Sequence, residues 1–203
     1  MLYKNFVLVI AAVLSLSAIA YSGEILDEGD IVFGPIDLQT VTGDSQLFGC
    51  EYDGGYTGYF WVTGGNSGND PNKLYKFDID WNLLEIYDQP EHSTGLGWRD
   101  MAYDGMHIYA LYGDQIDQID PATGQYTGFS IQCPRSPNSG LAYEPAYDHF
   151  WTSCSDGYIY SFGRNGVFAD SFPNTRTITG MGFDENYPDG PVIWVHTIQG
   201  NGM

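Results

Sequence analysis

Positive charge is what this chain has least of. Seven Lys and Arg stand against 26 Asp and Glu in 203 residues, giving a formal charge of −19 and an isoelectric point near 4.1. A surface of that sign repels a phosphate backbone, so nucleic acid is excluded from the expected partners. Charged residues of both signs reach only 16%, which argues against a helical bundle and its need for Glu, Lys and Arg. The four histidines, His92, His107, His149 and His196, form no His-x-x-x-His pair and the cysteines no Cys-x-x-Cys pair. A zinc site therefore has little support. There is no Gly-x-Ser-x-Gly elbow, P-loop or dinucleotide fingerprint. Beyond residue 20 no stretch approaches the roughly 18 apolar residues of a membrane-spanning helix.

What is abundant points to strands and turns. Aromatic residues make up 16% of the chain, hydrophobic residues 43%, and there are 26 glycines and 10 prolines. Such a mixture favours many short strands separated by tight turns. The N-terminus is an exception. Lys4 precedes the apolar run Phe6 to Leu16, and Ala18-Ile19-Ala20 comes next with small residues. Basic start, apolar middle and small-residue end are the features of a secretory signal peptide over residues 1–20, with cleavage after Ala20. The expected compartment is secreted, periplasmic or cell-surface.

The rest of the chain repeats itself. Short apolar segments ending in an aromatic recur as Gly49-Cys50-Glu51-Tyr52, Asp100-Met101-Ala102-Tyr103, Gly140-Leu141-Ala142-Tyr143 and Gly180-Met181-Gly182-Phe183. Their aromatic anchors are 51, 40 and 40 residues apart. After each comes a turn rich in Asp, Gly or Pro, then a second segment centred on Phe60-Trp61, Ile108-Tyr109, Phe150-Trp151 or Ile193-Trp194. A third alternates apolar and polar residues, as in Leu74-Tyr75-Lys76-Phe77, Ile116-Asp117-Gln118-Ile119 and Ile159-Tyr160-Ser161-Phe162. That alternation marks a strand with one buried face. Hairpin turns and a fourth strand close each unit.

Four antiparallel strands per repeat of about forty residues is the sequence form of a β-propeller blade. The expected fold is all-β, a β-propeller fragment of about three and a half four-stranded antiparallel blades. The blades fall at about 45–90, 97–132 and 137–173, with a partial blade at 176–203 and an outer strand within 25–38. The fourth repeat reaches Met203 after two strands, so the sequence reads as truncated. The column Trp61, Tyr109, Trp151, Trp194 is expected to pack between blades, with stacking on a sugar or base as the alternative reading.

Segments such as Asn72-Lys73-Leu74-Tyr75-Lys76-Phe77-Asp78, Ile119-Asp120-Pro121-Ala122-Thr123-Gly124 and Gly140-Leu141-Ala142-Tyr143 resemble exported bacterial β-propeller repeat proteins, which are loosely similar to the NHL, YVTN and quinoprotein-like propellers. The resemblance covers about residues 25–203. It implies the fold well and an activity poorly, since propellers host enzymes, binding modules and scaffolds alike.

The candidate chemistry is sparse. In Trp98-Arg99-Asp100, an Asp replaces the Gly found at 49, 140 and 180. Trp98, Arg99 and Asp100 are the candidate binding site at the channel mouth, with Arg99 as the anion contact; a solvated channel-mouth residue without a binding role is the alternative and better reading of Asp100. Cys50 aligns with apolar residues and reads as a buried free thiol, whereas Cys133 and Cys154 are candidates for a disulfide. No cofactor is expected. Asp78, Asp80 and Asn82 are spaced like the start of a calcium loop but lack its central Gly and distal Glu, so turn chemistry is the better reading. Asn66, Asn69 and Asp70 are a weaker calcium possibility. Two functions are compatible with these features. The favoured one is a non-catalytic exported scaffold binding a protein, glycan or small molecule. The other is a hydrolase, lyase or lactonase with a metal-assisted channel.

Overall fold

A computed structural model describes residues 36–54 and 58–198. The expected signal peptide and the outer strand up to residue 35 lie outside the described residues. The chain divides into two units, Met1–Ile36 and Asp37–Met203, and the second carries every described helix and strand.

That unit opens with a departure from expectation. Residues 37 and 38, assigned from the sequence to the outer strand, instead start a short helix, α1 (Leu38–Thr42). Asp37 caps it, its Oδ1 accepting the Thr40 N–H at 3.1 Å. Gly43 ends it in the left-handed region, at φ 72°. A local cap and a C-terminal Gly outweigh strand propensity in a segment without alternation.

Fourteen strands come after it among the described residues. The first sheet runs β1 (Leu47–Tyr52), β2 (Phe60–Gly64), β3 (Lys73–Phe77) and β4 (Leu83–Asp88). The second runs β5 (Met101–Tyr103), β6 (Ile108–Tyr112), β7 (Gln115–Asp120) and β8 (Gln125–Gln132). The third runs β9 (Asn138–Glu144), β10 (His149–Cys154), β11 (Tyr158–Gly163) and β12 (Phe168–Pro173). The last described pair is β13 (Thr177–Asp184) and β14 (Val192–Ile198). Every sheet is a simple antiparallel meander in chain order. The leading strands β1, β5, β9 and β13 are successive neighbours, so the described residues of this unit form a partial β-propeller of three four-stranded blades and a two-stranded one.

The turns are specified locally. In the β3–β4 hairpin, Asp78 Oδ1 accepts the N–H groups of Asp80 and Asn82 at 2.9 and 2.8 Å, and its Oδ2 accepts the Asn82 amide at 2.8 Å. Asp120 plays the same part between β7 and β8, accepting from Ala122 N–H at 2.9 Å and from the Thr123 hydroxyl at 3.0 Å. These are Asx turns, in which the carboxylate stands in for a backbone acceptor.

Packing is dictated by period-two alternation, which sends adjacent residues of one strand into different interfaces. Trp61 meets Trp98, Met101, Ile108, Ala110 and Ile119 between the first and second blades. Tyr109 and Leu111, on the other face of β6, meet Leu141, Phe150 and Phe162 of the third. Ala142 and Ile159 meet Ile178 and Met181 of the fourth. Each fully buried large side chain stabilises by about 1.5–3 kcal/mol, so the three junctions carry most of the core. Trp61 and Tyr109 are wholly buried, as inter-blade packing requires, while Trp194 is 41% exposed. Phe183 and Ile193 of the last pair pack against the third blade, so that pair is less exposed than two strands alone would be.

Close approach of the leading strands needs glycine. A Cβ on Gly49 would lie 2.7 Å from Asp100 Cα, and one on Gly140 would lie 2.6 Å from Met181 Cγ.

Candidate functional site

The residues expected at the channel mouth separate in the structure. Trp98 is buried, its backbone N–H donating to Gln89 Oε1 at 2.9 Å and its indole N–H to Asp117 Oδ2 at 2.8 Å. Asp100 is 4% exposed. Its Oδ2 accepts the N–H of Leu141 at 2.7 Å and that of Met181 at 2.9 Å. One carboxylate thus joins the leading strands of three successive blades. Burial raises the Asp100 carboxyl well above the usual carboxylate range, with the N–H groups of Leu141, Met181 and Met101 pulling the other way. Trp98 and Asp100 hold blades together, and Arg99 is the one of the three that keeps an accessible side chain.

Arg99 lies on a cleft of about 300 Å³ with Thr94, Leu96, Tyr112, Asp114 and Asn138 along its walls. The cleft is built by the connection from β4 to β5, the β6–β7 turn and the start of β9. The Arg99 guanidinium is 5.8 Å from the Phe48 ring centre, and among the described residues it pairs with no carboxylate. The hydroxyls of Thr94 and Tyr112 are 3.0 Å apart. Asn138 is 6% exposed; its Nδ2 donates to Arg135 O at 2.6 Å, and its Oδ1 has no donor.

A buried polar node that no sequence motif announced gathers around Asp117. Asp117, fully buried in β7, accepts the Trp98 indole N–H, the Gln115 amide at 2.7 Å and the Ser130 hydroxyl at 2.7 Å, and lies 2.8 Å from His92 Nε2. It ties the blade-to-blade connection to the second blade. The only sequence signal was its column, where the first and third blades have Tyr75 and Tyr160.

A second node stands at the other end of the strands. Arg164, in the β11–β12 turn, pairs with Asp148 at 2.6 Å and with Asp104 of the second blade at 2.8 Å. It also donates to the hydroxyls of Tyr109 and Tyr143. Burial alone would lower its pKa, but Asp148, Tyr109, Tyr143 and Asp104 raise it overall. Asp104 is pushed up by burial and brought below the usual range by the N–H groups of His107 and Met106 and by Arg164. The signal available in the sequence was one of seven basic residues placed in a turn.

Glu51, on β1, is raised to about 7 by burial, against the pull of the Tyr52 and Tyr103 N–H groups and with a small push from Asp53. Its Oε1 accepts the Tyr52 N–H at 2.7 Å. Cys133 and Cys154 are both buried free thiols, so the expected bridge is not formed. Cys133 packs as a small apolar group in the core between the second and third blades. Cys50 is a free thiol and only partly buried. Asn66 and Asn69, read as weak calcium candidates, belong to a turn organised by Asp44, which accepts the N–H groups of Asn66 and Ser67 at 2.8 and 2.7 Å. Among the described residues no three His, Cys, Asp or Glu converge as metal ligands.

Comparison with known proteins supports the architecture. The chain is similar to the Pan2 WD40 domain of Neurospora crassa, with TM-score 0.51 and 10% identity, covering 75% of this chain and 44% of that one. It is also similar to the WD40 β-propeller domain of Doa1, with TM-score 0.49 and 11% identity over 66% of this chain and 43% of that one. The chain thus spans less than half the length of these propellers. At such identities the likeness is one of fold. No protein-family model and no curated protein matches the chain.

Proposed function

We propose that this is an exported or cell-surface β-propeller acting as a non-catalytic binding scaffold, with its ligand-facing surface at the Arg99 end of the blades. The observation that carries the reading is the use made of the one acid that interrupts the glycine column. Asp100 is 4% exposed and its Oδ2 is occupied by two backbone N–H groups of neighbouring blades, so the side chain serves blade joining rather than ligand contact. Export rests on the basic, apolar and small-residue order of residues 1–20. The partner is a protein, glycan or small molecule rather than nucleic acid, on grounds of charge.

A hydrolase, lyase or lactonase is the second reading, and Glu51 is the observation in its favour, because a carboxyl near 7 suits general acid–base work. Turnover of lactone, ester and glycoside probes, measured with calcium or zinc and again after chelation, separates the two. The scaffold reading predicts no metal-dependent turnover, and an Asp100→Asn variant altered in melting temperature only. Metal-dependent turnover abolished by Asp100→Asn or Glu51→Gln would establish the enzyme instead.

A further inference from the structure

We propose that the Arg99 cleft binds a small zwitterion of the α-amino-acid type, its carboxylate on Arg99 and its ammonium beside Asp114. This rests on the scaffold reading and names the ligand class of its surface. Two observations carry it. Arg99 and Asp114 line the same cleft and form no ion pair with each other or with another described residue. Two opposite charges left unpaired across one small space are complementary to a ligand that carries both.

The second observation is charge. A chain of formal charge −19 repels anions at a distance, whereas a neutral zwitterion approaches freely and is oriented only at close range. The cleft volume of about 300 Å³ is at the lower end for small-molecule sites. That suits a single amino acid better than an extended chain. Leu96 and Pro137 give the ligand side chain an apolar flank, so leucine is the natural first probe.

The test is calorimetric titration of the full-length chain with L-leucine, N-acetyl-L-leucine and L-leucinamide. The last two each keep one charge. Leucine should bind saturably, and each derivative should bind at least about tenfold more weakly, the equivalent of losing one charged contact. Arg99→Gln should weaken leucine by a similar factor. Asp114→Asn should weaken leucine while leaving N-acetyl-L-leucine unchanged, with both variants melting as the parent does. Absence of saturable leucine binding would overturn the proposal, as would equal affinity for leucine and N-acetyl-L-leucine, or indifference to Arg99→Gln. The turnover assays above decide the scaffold reading by themselves, so the two can fail separately.

Discussion

Arg99 and Arg164 stand at opposite strand ends of two neighbouring blades, and the fold treats them in opposite ways. Arg164 is enclosed by two carboxylates and two tyrosine hydroxyls from two blades. Arg99 has an aromatic ring for company and a cleft in front of it. In a chain with only seven basic residues that contrast is informative. A cation neutralised by partners from neighbouring blades serves assembly, whereas Arg99 combines the lack of a described carboxylate partner with a place on an open cleft, which leaves it available to a ligand.

Asp117 holds Trp98, the neighbour of Arg99, in place, and removing that lock should have the largest effect. Asp117→Ala strands the Trp98 indole N–H and the Gln115 and Ser130 donors in the interior. A loss of about 3–5 kcal/mol is expected, read as a fall in melting temperature of about 2–4 °C for each kcal/mol. If the variant fails to fold, Ser130→Ala, which removes one donor, should show a smaller loss of the same kind. A melting temperature unchanged in Ser130→Ala would break the assignment of Asp117 as a node.

Arg164→Ala should come next, with a loss of about 2–4 kcal/mol, because Asp104 then stays largely buried with its cation gone. Arg164→Lys should recover only part of it, since an ammonium cannot reach two carboxylates and two hydroxyls with a planar fork. Full recovery by lysine would show that charge alone, without the fork, holds the second and third blades together.

Glu51 and Asp100 sharpen the comparison through pH. Both are raised by burial. Carboxyls with raised folded-state pKa values contribute stability that is fully present below their unfolded values and is lost as pH rises through the folded ones. For Glu51 that window runs from its usual value of 4.5 to about 7. Stability should therefore decline across this range, and Glu51→Gln should flatten the decline in melts taken at successive pH values. A slope unaltered by the substitution would assign the decline to general charge repulsion.

The part of this architecture that was legible in the sequence is the part that repeats. The strand segments, the aromatic column and the Asp-initiated turns recur at matching places, and period-two alternation carries Trp61 and Tyr109 into the blade junctions without further information. What was not legible depends on single departures whose partners are far along the chain. Asp117 sits between Ile116 and Ile119 and reads as the polar member of an alternating strand. Its burial comes from Trp98 and His92, 19 and 25 residues earlier. Asp100 was visible as a break in the glycine column but read as a channel-mouth contact, because its partners Leu141 and Met181 lie 41 and 81 residues later. Arg164 looked like a turn residue for the same reason. Local sequence sets the blades, and long-range polar pairs set how they are joined.

The most direct test of the division of labour between the two arginines is thermal melting of the parent, Arg99→Gln and Arg164→Ala chains with and without saturating L-leucine. Without ligand, Arg99→Gln should melt within about 0.5 kcal/mol of the parent, and Arg164→Ala clearly below it. Leucine should raise the melting temperature of the parent and of Arg164→Ala by similar amounts, since ligand binding to the folded state stabilises it by mass action, and should leave Arg99→Gln unmoved. Destabilisation by Arg99→Gln without ligand, or an equal leucine shift in all three chains, would contradict the account.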